Sequence, residues 1–301
     1  MGPIRSLAIA AVAGSVLLGA SALAACPPEG RSRASMSALA DTGFALADAE
    51  ERNALALALV DCLAHPDPRW RDDIAYTALA TWVRQANLEP STLLAIHGRL
   101  ARRLAVTGSD RQGFRQPFAA LMLAQTVAAD RAKPFLDEAA IPALVDIACD
   151  WFESIHDYRG FDPQAGWRHA VAHGADLLAQ LAVHPRTSSA DLDRIVTALA
   201  TQIAPASGHS WIHGEAERLA LPLLRIAARG IYTTAQWRDW FAGIAAVPEG
   251  GNLYGSRESL ARRHNLQAVL LVLYVNVNES DDADLRATLL PAVVDALRSL
   301  Q

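Results

Sequence analysis

Apolar residues recur at spacings of three and four almost without interruption from about residue 41 to the C-terminus, and the two-residue alternation of a half-buried strand is nearly absent. That period constrains the chain more than anything else in it, because it places one apolar stripe on each of a series of helices. Ala and Leu dominate the stripes, and both favour helix. Proline and cap residues divide the series. The spacing predicts helices near 48–64, 69–87, 92–106, 114–131, 135–155, 166–183, 189–204, 211–229, 234–245, 256–277 and 282–299. Ser91 and Thr92 are the expected N-cap of the third, and Pro66, Pro134, Pro185 and Pro205 mark breaks. Val269–Val277 is rich in β-branched residues, yet Leu266, Val269, Leu270, Leu273 and Val277 keep helical spacing. The expected fold is all-α: antiparallel helix pairs stacked as a degenerate α-solenoid of HEAT-like type, or as an α/α array. A faint duplication accompanies it. His65-Pro66 precedes TALAT at 77–81, His184-Pro185 precedes TALAT at 197–201, and Ile-His-Gly recurs at 96–98 and 212–214.

The first 25 residues stand apart. Arg5 is followed by an apolar run from Leu7 to Ala20 and by Leu23-Ala24-Ala25-Cys26. The run resembles a lipoprotein signal peptide, which implies cleavage before Cys26, a lipid on its sulfur and an extracytoplasmic place at the cell or outer membrane. Ordinary secretion with cleavage after Ala24 is the alternative. Residues 26–40 read as a flexible tether and 41–301 as one helical domain. No later segment offers the run of about 20 apolar residues that a membrane span needs. With 27 basic against 32 acidic residues, the chain lacks the basic footprint of a nucleic-acid binder. Cys62 and Cys149 sit in apolar helical contexts and are expected as buried free thiols, with a mutual disulfide as the alternative.

Chemistry concentrates in DYRGFDPQAGWRHAVAHGADLLAQLAVHP, residues 157–185. On a helix beginning at Gly166, His169, His173 and Asp176 fall on one face beside the core stripe. Two imidazoles and a carboxylate in this arrangement suit zinc and metal-assisted hydrolysis, or acid–base work in a metal-free pocket. Hydrogen bonding to buried carbonyls is the competing structural role. Arg159 on the approach loop suits carboxylate or phosphate recognition, or an internal ion pair with Asp157, Asp162 or Asp176. Trp167 reads as a packing anchor. His213 and Glu217, at i and i+4, form a second polar group with Arg218, and Glu217 would join the first if the two helices are neighbours. Arg262, Arg263, His264 and Asn265 read as a solvated basic face. The resulting expectation is a binding or scaffold protein of the envelope, for a protein or small-molecule ligand. Its groove would be lined by Arg159, Trp167, His169, His173, Asp176, His213 and Glu217. No Walker loop, GxGxxG, GxSxG or paired CxxC is present.

Three blocks give the chain a family likeness. They are Gly113-Phe-Arg-Gln-Pro-Phe-Ala-Ala-Leu121; the 157–185 segment with Arg159-Gly160, Gly166-Trp167, His169, His173-Gly-Ala-Asp176 and His184-Pro185; and His264-Asn265 ahead of Leu270 and Tyr274. With these blocks the chain resembles the bacterial family called domain of unknown function 2785, over about residues 50–300. Gln116-Pro117 departs from the serine-rich form typical of that family. The resemblance implies an all-helical fold and no particular activity.

Overall fold

The computed structural model describes residues 26–106, 110–246 and 254–301. The expected signal segment lies outside them. Helix α1 (Arg33–Asp41) is closed by a capping box between Ser32 and Ser35 and buries Met36 completely. The 26–40 segment is therefore packed, not a tether. Arg31 and Arg33 pair with Glu51 and Asp67, and the Cys26 sulfur is bonded to Cys62. A sulfur in a disulfide carries no thioether, so this bond and a lipid on Cys26 are mutually exclusive. The bond also corrects the expectation for Cys62, whereas Cys149 is a buried free thiol, pushed up to about 12 by burial.

The remaining helices are α2 (Ala49–Leu59), continued by a 3-10 turn over Val60–Ala64; a π-helical segment, Arg69–Tyr76, running into α3 (Thr77–Arg84); α4 (Pro90–Ala105); α5 (Arg115–Ala132); α6 (Ala140–Glu153); α7 (Ala170–Ala182); α8 (Ser189–Ile203); α9 (Glu215–Ala227); α10 (Thr234–Ala245); α11 (Arg257–Asn278); and α12 (Ala283–Ser299). A two-residue hairpin, β1 (Phe161–Asp162) with β2 (Gly166–Trp167), precedes α7. Local chemistry sets the ends. Ser188 with Asp191 and Thr233 with Gln236 form capping boxes. Helix α4 starts with proline at its first turn, one residue before the expected Ser91 cap. Val269–Val277 is helical, inside α11.

From α3 onward the main contacts join helices two places apart, with cross-contacts such as α4 on α5, α6 on α7 and α11 on α12. Thus α3, α5, α7, α9 and α11 form one row, and α2, α4, α6 and α8 the other. This is the neighbour order of stacked antiparallel pairs, and one buried apolar cluster runs through them from Met36 to Leu300. At the α6–α7 crossing a Cβ on Gly174 would come within 2.4 Å of the Phe152 ring, so glycine sets how closely these helices meet. The two His-Pro corners share a detail: the Asp67 and Arg186 N–H groups donate to the ring nitrogens of His65 and His184 at 3.1 and 3.2 Å. The TALAT helices that follow lie in opposite rows. His97 is buried inside α4, whereas His213 is in a loop. The duplication is therefore not a repeat of the array.

Candidate functional site

The hairpin before α7 is built by its own turn and held from below. The Asp162 carboxylate accepts from the Gln164 and Ala165 N–H groups, and Gly166 takes the left-handed conformation (φ 73°) that closes the turn. Arg71, from the π-helical segment, is 0% exposed. It donates to the carbonyls of His65, Pro66 and Ala165 at 3.0, 3.3 and 2.7 Å and pairs with Asp72. Its guanidinium also lies 3.9 Å from the Phe114 ring centre and 4.9 Å from that of Phe118. One side chain thus joins the first helical pair, the 113–121 block and the hairpin.

The hairpin carries on to residue 169. Arg168 and His169 N–H groups donate to the carbonyls of Gly160 and Arg159. His169 is left-handed (φ 54°) and caps α7, which begins at Ala170. The expected helix face is therefore corrected. His169 is not on the helix, and its ring stacks on Trp167 with 4.8 Å between centres. Helix α9 likewise begins late, because Gly214 is left-handed. That turns Glu215 inward, 2% exposed, and leaves Glu217 on the surface. One Glu215 oxygen lies 3.7 Å from His169 Nε2 and 3.8 Å from His213 Nδ1, while the other accepts the His213 N–H at 2.8 Å. At these distances the carboxylate is a charged neighbour, and neither ring nitrogen has a hydrogen-bond partner among the described residues. Only glycine fits at 160, where a Cβ would sit 2.3 Å from the His213 ring. The sequence reading missed Glu215. Its signal was the His-Gly-Glu run, whose glycine starts the helix between the histidine and the acid.

The other expected site residues have separate commitments. Asp176 receives both arms of Arg218, Nε donating at 2.6 Å, so α7 and α9 are neighbours but through this pair. His173 is 6% exposed. It meets the Phe118 ring edge-on at 5.1 Å and is held well below the usual imidazole value by burial and by His169. Arg159 is fastened to Asp157 at 2.8 Å and to the Arg111 carbonyl, the internal ion pair of the two roles expected for it. Burial pushes Asp157 up, but these bonds outweigh that effect and hold the carboxyl below its ordinary value. Trp167 is 39% exposed, between Phe161, His169 and His213, which makes it part of a surface cluster. The His169–His173–Asp176 set proposed for zinc is thus not assembled: the two rings stay 5.8 Å apart between centres, but Asp176 is taken by Arg218. Among the described residues, no three His, Cys, Asp or Glu side chains gather as a metal-binding group. Of the supposed basic face only His264 is exposed, and the other three side chains are committed to the fold. Arg262 and Arg263 donate to the carbonyls of Ala204 and Leu300, and fully buried Asn265 bonds both Trp211 N–H and the His209 carbonyl.

What the three blocks do share is the 154–170 loop. Gly113 (φ 75°) is pressed against Asp157, Arg159 and Arg168, and Tyr158 packs on His209 and Trp211, which Asn265 holds. This loop forms one wall of a cleft of about 600 Å³. Leu104, Pro117, Ile147, Trp151 and Ile155 provide its apolar floor, and Asp110, Asp150, Asp157 and Arg168 stand at its rim. The small crevice lined by His169 and Glu215 adjoins it, sharing Asp157 and Ala170. The rim charges are already satisfied. Asp150 pairs with Arg194, Asp157 with Arg159, Asp110 accepts from Gly113 and Gln116, and Arg168 donates to the Gln112 carbonyl over the Phe114 ring.

Fold and site together define an all-helical stacked array with a mainly apolar cleft walled by a single hairpin loop. The family model described as protein of unknown function (DUF2785) matches residues 100–275, and the chain belongs to that family. No curated protein and no solved structure matches it.

Proposed function

We propose that the chain is a binding protein whose site is the cleft between the ends of α4 and α6, the start of α5 and the 154–170 loop. The observation that carries this reading is the cleft's size and lining. About 600 Å³ lies within the usual range of small-molecule sites, which are mostly apolar with a few polar groups. Because each rim carboxylate already has a partner, a charged ligand would have to displace an existing bond. An uncharged, mainly apolar molecule fits without that cost. A neutral environment-sensitive dye such as N-phenyl-1-naphthylamine is expected to bind saturably and to quench Trp151. The Ile147→Glu variant, which puts a carboxylate on the floor, should bind it at least about tenfold more weakly, a loss of about 1.4 kcal/mol or more. Equal binding by both proteins, or no saturable binding, would refute the assignment.

Export is part of the same reading. It is supported by the Arg5-led apolar leader and by the Cys26–Cys62 bond, since disulfides persist in oxidising compartments. Intact-mass measurement of protein expressed with its leader should give a chain lighter by two hydrogens than its reduced form. An intact leader with both cysteines reduced would overturn this, whereas a diacylglycerol adduct on Cys26 would replace the disulfide with the membrane anchor and leave export standing.

A further inference from the structure

A second, smaller cavity lies away from the cleft, where α8 meets the start of α10. It has a volume of about 200 Å³. Trp237 forms its base and is 2% exposed. Tyr232 and Trp240 each meet Trp237 edge-on, at 5.1 and 5.8 Å between ring centres. Asp193 and Gln236 line the side. The Tyr232 hydroxyl donates to Asp193, which fixes the carboxylate at the aromatic wall. Burial and the Asp193 charge push the phenol up, so it remains a neutral donor. Among the described residues no Lys or Arg lines the cavity. The nearest arginines along the two helices are used elsewhere, Arg194 by Asp150 and Glu153, and Arg238 by Asp295.

Aromatic faces carry negative charge density and attract cations, most strongly those that are weakly hydrated. A methylated ammonium is such a cation: it brings apolar methyl groups to the rings and a positive charge to the carboxylate. A simple metal cation would find one carboxylate here and few other oxygen donors. A neutral apolar ligand would leave the carboxylate uncompensated. We propose that this cavity is a binding site for a small quaternary or trimethylated ammonium group, held by Tyr232, Trp237 and Trp240 with Asp193 as counter-charge.

The test uses the full exported chain, with tetramethylammonium and choline as probes and 3,3-dimethyl-1-butanol as the uncharged isostere of choline. Tryptophan fluorescence and indole N–H shifts report binding. Saturable binding of both cations in the millimolar range is expected, with the isostere about tenfold weaker. Trp240→Ala should lose about tenfold in choline affinity, and Trp240→Phe less. Asp193→Asn, which keeps the hydrogen bond to Tyr232, should weaken choline several-fold and leave the isostere unchanged. If choline and its isostere bind alike, or neither saturates, or Asp193→Asn weakens both equally in a folded protein, the proposal fails.

Discussion

Replacing Arg71 by alanine is expected to remove about 3–5 kcal/mol of stability, the range seen when one partner of a buried ion pair is deleted. The substitution strips a donor from three carbonyls at once, those of His65, Pro66 and Ala165. Each buried acceptor left unpaired costs about 1–3 kcal/mol. It also empties the space over Phe114 and Phe118. Arg71→Lys keeps the charge but cannot span the same acceptors or lie flat on the rings, so it should recover only part of the loss. Urea unfolding measures both. Because Arg71 reaches the hairpin through Ala165, dye binding in the cleft should weaken in the lysine variant even where it remains folded. A loss under about 1 kcal/mol for alanine would mean that water or a rearranged loop satisfies these carbonyls instead.

Acidification is expected to destabilise the protein before its carboxylates titrate. His97, His169, His173, His184 and His209 are all held below the ordinary imidazole value, in each case chiefly because burial disfavours the charged ring. The folded chain therefore binds fewer protons than the unfolded one. The stability tied to these rings is complete above the unfolded value of 6.5 and is lost as pH falls through the folded values. His97 falls to about 4, which corresponds to about 3 kcal/mol at that ring alone. Its Nδ1 lies 3.0 Å from the Thr126 oxygen, whose hydroxyl donates to the Leu123 carbonyl, so this ring nitrogen supplies the hydrogen and the neutral ring is satisfied. Unfolding free energy from neutral pH down to pH 4 should fall steadily, and His97→Asn should flatten part of that slope. A level profile through the range would mean the rings protonate as freely folded as unfolded.

The helices were legible because their signals are local. Apolar period and the breaks at Pro66, Pro134, Pro185 and Pro205 each act within a turn or two, and even β-branched Val269–Val277 declared itself by spacing. The site was less legible because it depends on where two helices begin. Reading α7 from Gly166 and α9 from Trp211 put His169 and Glu217 on helix faces. In the structure, His169 and Gly214 take left-handed conformations, the helices begin later, and Glu215 replaces Glu217 beside the histidines. The sequence separation of their partners hid other roles. Arg71 acts on Ala165, Asn265 on Trp211 and Arg218 on Asp176, and no period within one segment announces such pairs. The Cys26–Cys62 bond was hidden for a further reason: a leader-like run assigned Cys26 to another chemistry.

The order of the rows has a mechanical consequence. Load on any helix passes to those one or two places along, and not to the far end of the chain. The hairpin wall and the α4–α6 cleft stand midway, buttressed on both sides. A disturbance at one extremity therefore has to cross several helix contacts before it reaches the centre.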